Sequence, residues 1–294
     1  MRRFLGLVSA AVFLGVAGGA RGNITQTFSS DPLGVAVAQG PDAGNVNSRF
    51  TYNSGDGTLT AHYDTTLPTI KLLFPLGGHF TQNDTFKFTT TFAILSAGFA
   101  SPPDFGGQAP SFGLVNSATT GNLRATTGHF DTNTFEFTEI TPGTAYDVFT
   151  VDYFPTQDNT YGGNSIILTT IQSAQAGQPF NSRFKFGAAN TTLPLDQFIS
   201  AVVIYDGATH QAKLDWGTGS LTLDLADKVF DVDSFAITLW SDPNLAPPPP
   251  ADASGSPVGG NVLFDSFSVV LVPEPGTLAM LGFGAIVLLG RKRG

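Results

Sequence analysis

Between Phe86 and Ile94 the chain alternates by twos: Phe86, Phe88, Phe92 and Ile94 fall on one side of an extended backbone, and Lys87, Thr89 and Thr91 on the other. Successive side chains of a strand point to opposite faces, so this spacing predicts a strand with one buried face and one wetter face. The same reading holds for Ser48–Tyr52, Gly57–Tyr63, Tyr146–Tyr153, Ser165–Ile171, Ser200–Tyr205, Gln211–Trp216, Ser220–Leu225, Phe235–Trp240 and Val262–Val272, most of them bounded by Gly, Asn, Asp or Pro. A chain made of so many half-apolar strands must find a second sheet to cover them.

Three short connections read as hairpins: Asn53-Ser54-Gly55-Asp56-Gly57, Asp206-Gly207-Ala208 and Gly217-Thr218-Gly219. Glycine supplies the positive φ that such turns often require. No stretch between Arg21 and Val272 keeps an apolar period of 3.6 for long enough to make a substantial helix, and no fixed-period repeat is present. The chain lacks cysteine, so neither disulfides nor a thiolate metal site can hold it together. These features predict an all-β, antiparallel sandwich of two packed sheets over residues 21–272. Within it, Pro247-Pro248-Pro249-Pro250 cannot donate to a ladder, and the stretch from about 243 to 260 is expected to be an exposed Pro-rich loop.

The two ends differ from this body. Arg2 and Arg3, an apolar run from Phe4 to Val16, and the small residues Ala17 to Ala20 have the order of a secretory signal peptide spanning residues 1–20. The run is thirteen residues long, about 20 Å of helix against a hydrocarbon core of roughly 30 Å, which favours cleavage over a retained anchor. At the other end, Pro273, Glu274 and Pro275 precede an apolar segment, 276–290, and the basic cluster Arg291, Lys292 and Arg293. That segment makes about 22 Å of helix, a marginal single membrane span, and the basic cluster orients its end to the cytoplasmic side. The two prolines then leave an extended peptide on the outer side, open to a protease. Residues 21–275 retain nine basic residues against 23 acidic ones. Such a body repels phosphate backbones, so nucleic acid is not an expected partner.

The tail, residues 273–294, resembles the PEP-CTERM sorting signal, in which a Pro-Glu-Pro motif, one membrane helix and a terminal basic cluster follow in that order. The resemblance implies processing by exosortase, in addition to signal peptidase and the general secretion machinery, and delivery to the cell surface or extracellular matrix after brief residence in the inner membrane. In the body, Phe86-Lys87-Phe88-Thr89-Thr90-Thr91-Phe92, Ser111-Phe112-Gly113-Leu114-Val115-Asn116-Ser117, Ala201 to Thr209 with its Tyr205-Asp206-Gly207 turn, and Phe264-Asp265-Ser266-Phe267 resemble concanavalin A-like lectin/glucanase sandwiches. That resemblance implies a two-sheet jelly roll and makes extracellular polysaccharide the expected ligand class.

Catalytic equipment is sparse. Glu136 and Glu139 are the only glutamates before the tail, and three apart on a strand they face opposite sides. The Glu-x-Asp-x-Glu signature of sandwich-fold glucanases is absent, as is a Gly-x-Ser-x-Gly elbow, and His62, His79, His129 and His210 show no metal-ligand spacing. The chain is therefore read as a non-enzyme, a structural or adhesive surface component. The alternative is a secreted glycoside hydrolase or lyase on the same fold. Asp206, Asp231 and Asp233 are the candidate metal ligands, for calcium, with turn capping as the competing role; no other cofactor is expected. Trp216, Trp240, Tyr205 and Tyr161 are candidate sugar-stacking platforms, with core packing as the competing role.

Overall fold

The computed structural model describes residues 23–40, 42–64, 67–97, 111–118, 128–131, 136–139, 148–154, 165–172, 184–239 and 259–272. Its strands are β1 (Ile24–Gln26), β2 (Val37–Gln39), β3 (Phe50–Asn53), β4 (Thr58–Asp64), β5 (Ile70–Thr81), β6 (Phe86–Ile94), β7 (Ser111–Val115), β8 (Gly128–Asp131), β9 (Glu136–Glu139), β10 (Val148–Phe154), β11 (Ser165–Ile171), β12 (Phe184–Asn190), β13 (Ile199–Asp206), β14 (Gln211–Asp215), β15 (Ser220–Asp224), β16 (Asp231–Leu239) and β17 (Gly259–Leu271). Helix is confined to one turn, α1 (Val46–Arg49), and two short 3-10 turns among the described residues. No described helix is long and apolar enough to cross a membrane. The expected signal peptide, the tail with Pro273 to Pro275 and Arg291 to Arg293, and nearly all of the Pro-rich loop lie outside the described residues.

The strands form two antiparallel sheets. The first runs β15-β14-β13-β6-β17-β4-β3, with β1 added to β17, and the second runs β12-β11-β10-β7-β16-β5-β2. A separate hairpin pairs β8 with β9. The chain changes sheet from β1 to β2, β2 to β3, β4 to β5, β5 to β6, β6 to β7, β12 to β13, β15 to β16 and β16 to β17, while β10 to β12 and β13 to β15 are local meanders, each within one sheet.

The core lies between the sheets. Phe86, Phe88, Phe92 and Ile94 are buried there, while Lys87 is exposed and Thr89 and Thr91 are half-buried, the register the alternation predicts. Phe235 of β16 stacks on Phe267 of β17 with centroids 4.0 Å apart, joining the two sheets. Phe86 stacks on Tyr205 at 5.1 Å and meets the edge of Phe149 across the core. Tyr63 is a second tie: its hydroxyl donates to Thr238 O at 3.2 Å and accepts from Ser111 N at 3.2 Å, linking β4 to two strands of the other sheet. Burial drives its phenol pKa well above the ordinary range.

All three expected hairpins are present, with Gly57 and Gly217 at φ +69° and +87°. Strand starts differ from expectation at β3, β16 and β17. Ser48 and Arg49 belong to α1, and the strand begins at Phe50, because the buried Arg49 turns back to pair with Asp42 at 2.6 Å and to donate to Pro68 O. Asp231 begins β16, earlier than Phe235, because a register shift between Val232 and Ser234 lets the strand continue past an irregularity. Gly259 and Gly260, expected in the Pro-rich loop, open β17 opposite Asp64 and Tyr63. β1, β2, β5, β7, β8, β9 and β12 were absent from the expected set of strands, β5 being the longest of them.

Candidate functional site

The three candidate metal ligands do not converge. Asp206 Oδ1 accepts the Ala208 and Thr209 amides at 2.9 and 3.3 Å, an Asx cap on the β13–β14 turn. These bonds, the Ala208 amide foremost, hold its carboxyl below the usual carboxylate range. Asp231 Oδ1 lies 2.7 Å from His79 Nδ1 at the surface. Asp233 accepts the Ser117 amide at 2.8 Å and the Ser117 hydroxyl at 2.7 Å. The irregularity in β16 separates Asp231 and Asp233, which were expected on one side, and sends them to different strands. Among the described residues no group of three or more His, Cys, Asp or Glu side chains gathers closely enough to hold a metal ion.

The aromatic platforms divide similarly. Tyr205 is fully buried; its hydroxyl donates to Gln82 O at 2.8 Å and lies 2.9 Å from His210 Nδ1. Trp216 is buried over the Gly217–Gly219 turn, where a Cβ on Gly219 would collide with the indole. Both are core residues and not sugar platforms. Trp240 and Tyr161 lie outside the described residues. His62 sits between Thr51 and Asn261 at 2.9 and 2.8 Å. His129, Glu136 and Glu139 fall in β8 and β9, whose side chains lie outside the described set.

What the structure does assemble is a polar face on the second sheet, turned away from the core. One transverse row runs Lys71, Thr238, Ser111, Asp152 across β5, β16, β7 and β10, each residue opposite the next in register. The next row runs Leu73, Ala236, Gly113, Thr150, Thr169 across those strands and β11. Every side chain in these rows is almost completely buried. Gly113 is obligatory: its φ is +151°, and a Cβ would collide with the Phe149 carbonyl oxygen of the adjacent strand. With Ala236 beside it, it leaves the middle of the face low between Leu73 and Thr150.

The polarity of this face is costly. Desolvation lowers the Lys71 ammonium pKa from 10.5 to about 7. Thr150 donates to Asp152 at 3.4 Å, but Ser111 Oγ and Thr169 Oγ1 are buried with no hydrogen-bond partner among the described residues. An unmade hydrogen bond of this kind costs about 1–3 kcal/mol. Donors and acceptors set in a row at strand spacing, about 4.8 Å, suit a ligand that carries many hydroxyls. Ser111 and Gly113 lie in a run that carries the sandwich resemblance, but the sequence marks none of these residues as a site residue. The available signal was Lys71 and Asp152, single charges inside otherwise apolar strands.

Residues 271–293 match the PEP-CTERM protein-sorting motif. No curated protein matches the chain. Peanut lectin, solved with a nine-residue peptide, is similar in structure with a TM-score of 0.50 at 11% identity, over 85% of this chain and 98% of the lectin. Basic winged bean lectin with Tn-antigen gives 0.48 at 14% identity, covering 85% and 99%. A Bacillus licheniformis β-glucanase gives 0.48 at 9% identity, covering 85% and 99%. The fold is thus a two-sheet sandwich like that of peanut lectin, and the motif marks an exported protein processed by exosortase, at the cell surface or outside the cell.

Proposed function

We propose that the sandwich of this exosortase-sorted protein binds extracellular polysaccharide along the outer face of its second sheet, as a surface or matrix component. The observation that carries this reading is the hydroxyl-rich double row on that face, with Ser111 Oγ and Thr169 Oγ1 buried and without a partner among the described residues. A sugar chain satisfies such groups in a low-dielectric setting, where each hydrogen bond is strong. The face is closed to solvent in this structure, so binding requires it to open. The exchange of strands between the sheets supports a jelly-roll topology for the body, residues 21–272, flanked by a cleaved signal peptide, 1–20, and a tail, 273–294, whose span is 276–290.

Binding is preferred to cleavage because Asp152 is the one carboxylate in the two rows, and the usual route to glycoside hydrolysis needs a pair. The test applies protein recovered from the cell surface or medium to a glycan array and, with the same polymers, to a reducing-sugar release assay. Retention without release supports binding. The double variant S111A/T169A should lose about tenfold in affinity while its melting temperature holds or rises, since two unmade hydrogen bonds are removed. Release of reducing ends would replace this reading with an enzyme, and unchanged affinity in the double variant would move the site elsewhere.

A further inference from the structure

The root of the sorting tail is closed by the other end of the chain. β1 lies antiparallel on β17, with Ile24 opposite Val269, Thr25 opposite Ser268 and Gln26 opposite Phe267. Just before it, Asn23 Oδ1 accepts the Leu271 amide at 3.0 Å, a bond between residues 248 apart in sequence. On its other side β17 is paired with β6 through Val269, Val270 and Leu271, and the Val272 amide donates to Thr85 O at 2.8 Å. The backbone just upstream of the Pro-Glu-Pro motif is therefore occupied from both edges. Pro273 has no amide hydrogen and cannot extend the ladder. Folded body and sorting motif meet with no spacer between them.

A peptidase that holds its substrate as an added strand needs free backbone on both sides of the bond it cuts. We propose that Asn23 is a positioning residue for tail processing: its bond to Leu271 holds the end of β17 in the sheet, so that only chain from Pro273 onward is freely available to exosortase. This rests on the sorting reading. When the competent, frayed form is a minor fraction, apparent affinity falls by that fraction, so the clamp acts on KM and not on kcat.

The test measures initial cleavage rates of the full chain in proteoliposomes with purified exosortase. N23A should lower KM by about threefold to tenfold, the worth of one hydrogen bond, with kcat unchanged. N23D, which keeps an acceptor oxygen, should restore the wild-type KM. In a second background a Gly-Ser-Gly-Ser spacer between Val272 and Pro273 supplies free backbone directly, and there N23A should have no effect. Equal KM for wild type and N23A, or an N23A effect that survives the spacer, would overturn the clamp alone. Failure of every variant to be cut, spacer included, would overturn the sorting reading and the clamp with it.

Discussion

Phe88 and Lys71 show what single positions contribute to this molecule. Phe88 is fully buried, with Phe149 and Phe235 edge-on at 6.2 and 6.3 Å. Truncation to alanine removes a ring from a close-packed interior, and F88A should cost roughly 3–5 kcal/mol in chemical denaturation. A loss under about 1 kcal/mol would place the ring at the surface. Lys71 works in the opposite direction. Its pKa falls from 10.5 to about 7 on folding, so below pH 7 it is charged in both states and its burial cost is borne in full. Between pH 7 and about 10.5 the unfolded chain holds more of that proton than the folded one, and stability rises with pH. K71M should therefore be the more stable protein by about 1–3 kcal/mol at pH 7, with the advantage shrinking toward pH 10. Parallel stability profiles for the two proteins would show that burial of this charge is not what shapes the curve.

Turns and strands carry the next level. Gly207 donates to Thr85 Oγ1 at 3.0 Å, and a Cβ there would come within 2.5 Å of Asn83 O, so the β13–β14 turn is seated on the β5–β6 turn. G207A should cost about 1–3 kcal/mol by forcing the two turns apart. G217A meets no atom within 4 Å but inherits φ +87°, and should cost only about 1 kcal/mol. Comparable thermal shifts for the two variants would remove the docking contact from the account. The β6 register was legible in sequence because one face of that strand meets the core and the other meets water. β5 was not, since Ile70-Lys71-Leu72-Leu73-Phe74 is buried on both faces and Pro75, Gly77 and Gly78 resemble a break. The polar face escaped for a different reason. Its rows are drawn from β5, β16, β7, β10 and β11, strands distant in sequence, and a lone Ser111 or Thr169 reads as an ordinary strand hydroxyl until register sets it beside the others.

At the scale of the whole molecule, an acidic sandwich is joined without a spacer to a short apolar tail. The body carries its own core, whereas we propose that the apolar segment 276–290 only pauses in a bilayer, with the Pro-Glu-Pro motif at its outer edge. Replacing Pro273, Glu274 and Pro275 together with alanine should leave the protein in the inner membrane fraction, where wild type is depleted. The tail was readable because its signal is local, with motif, span and charges in unbroken order, and the match to residues 271–293 covers that whole segment. Sorting is most directly tested by the intact mass of wild-type protein recovered from the surface or medium of cells with an active exosortase. A C-terminus between Pro273 and Gly276 is the predicted result, and a chain still ending at Gly294 would contradict it.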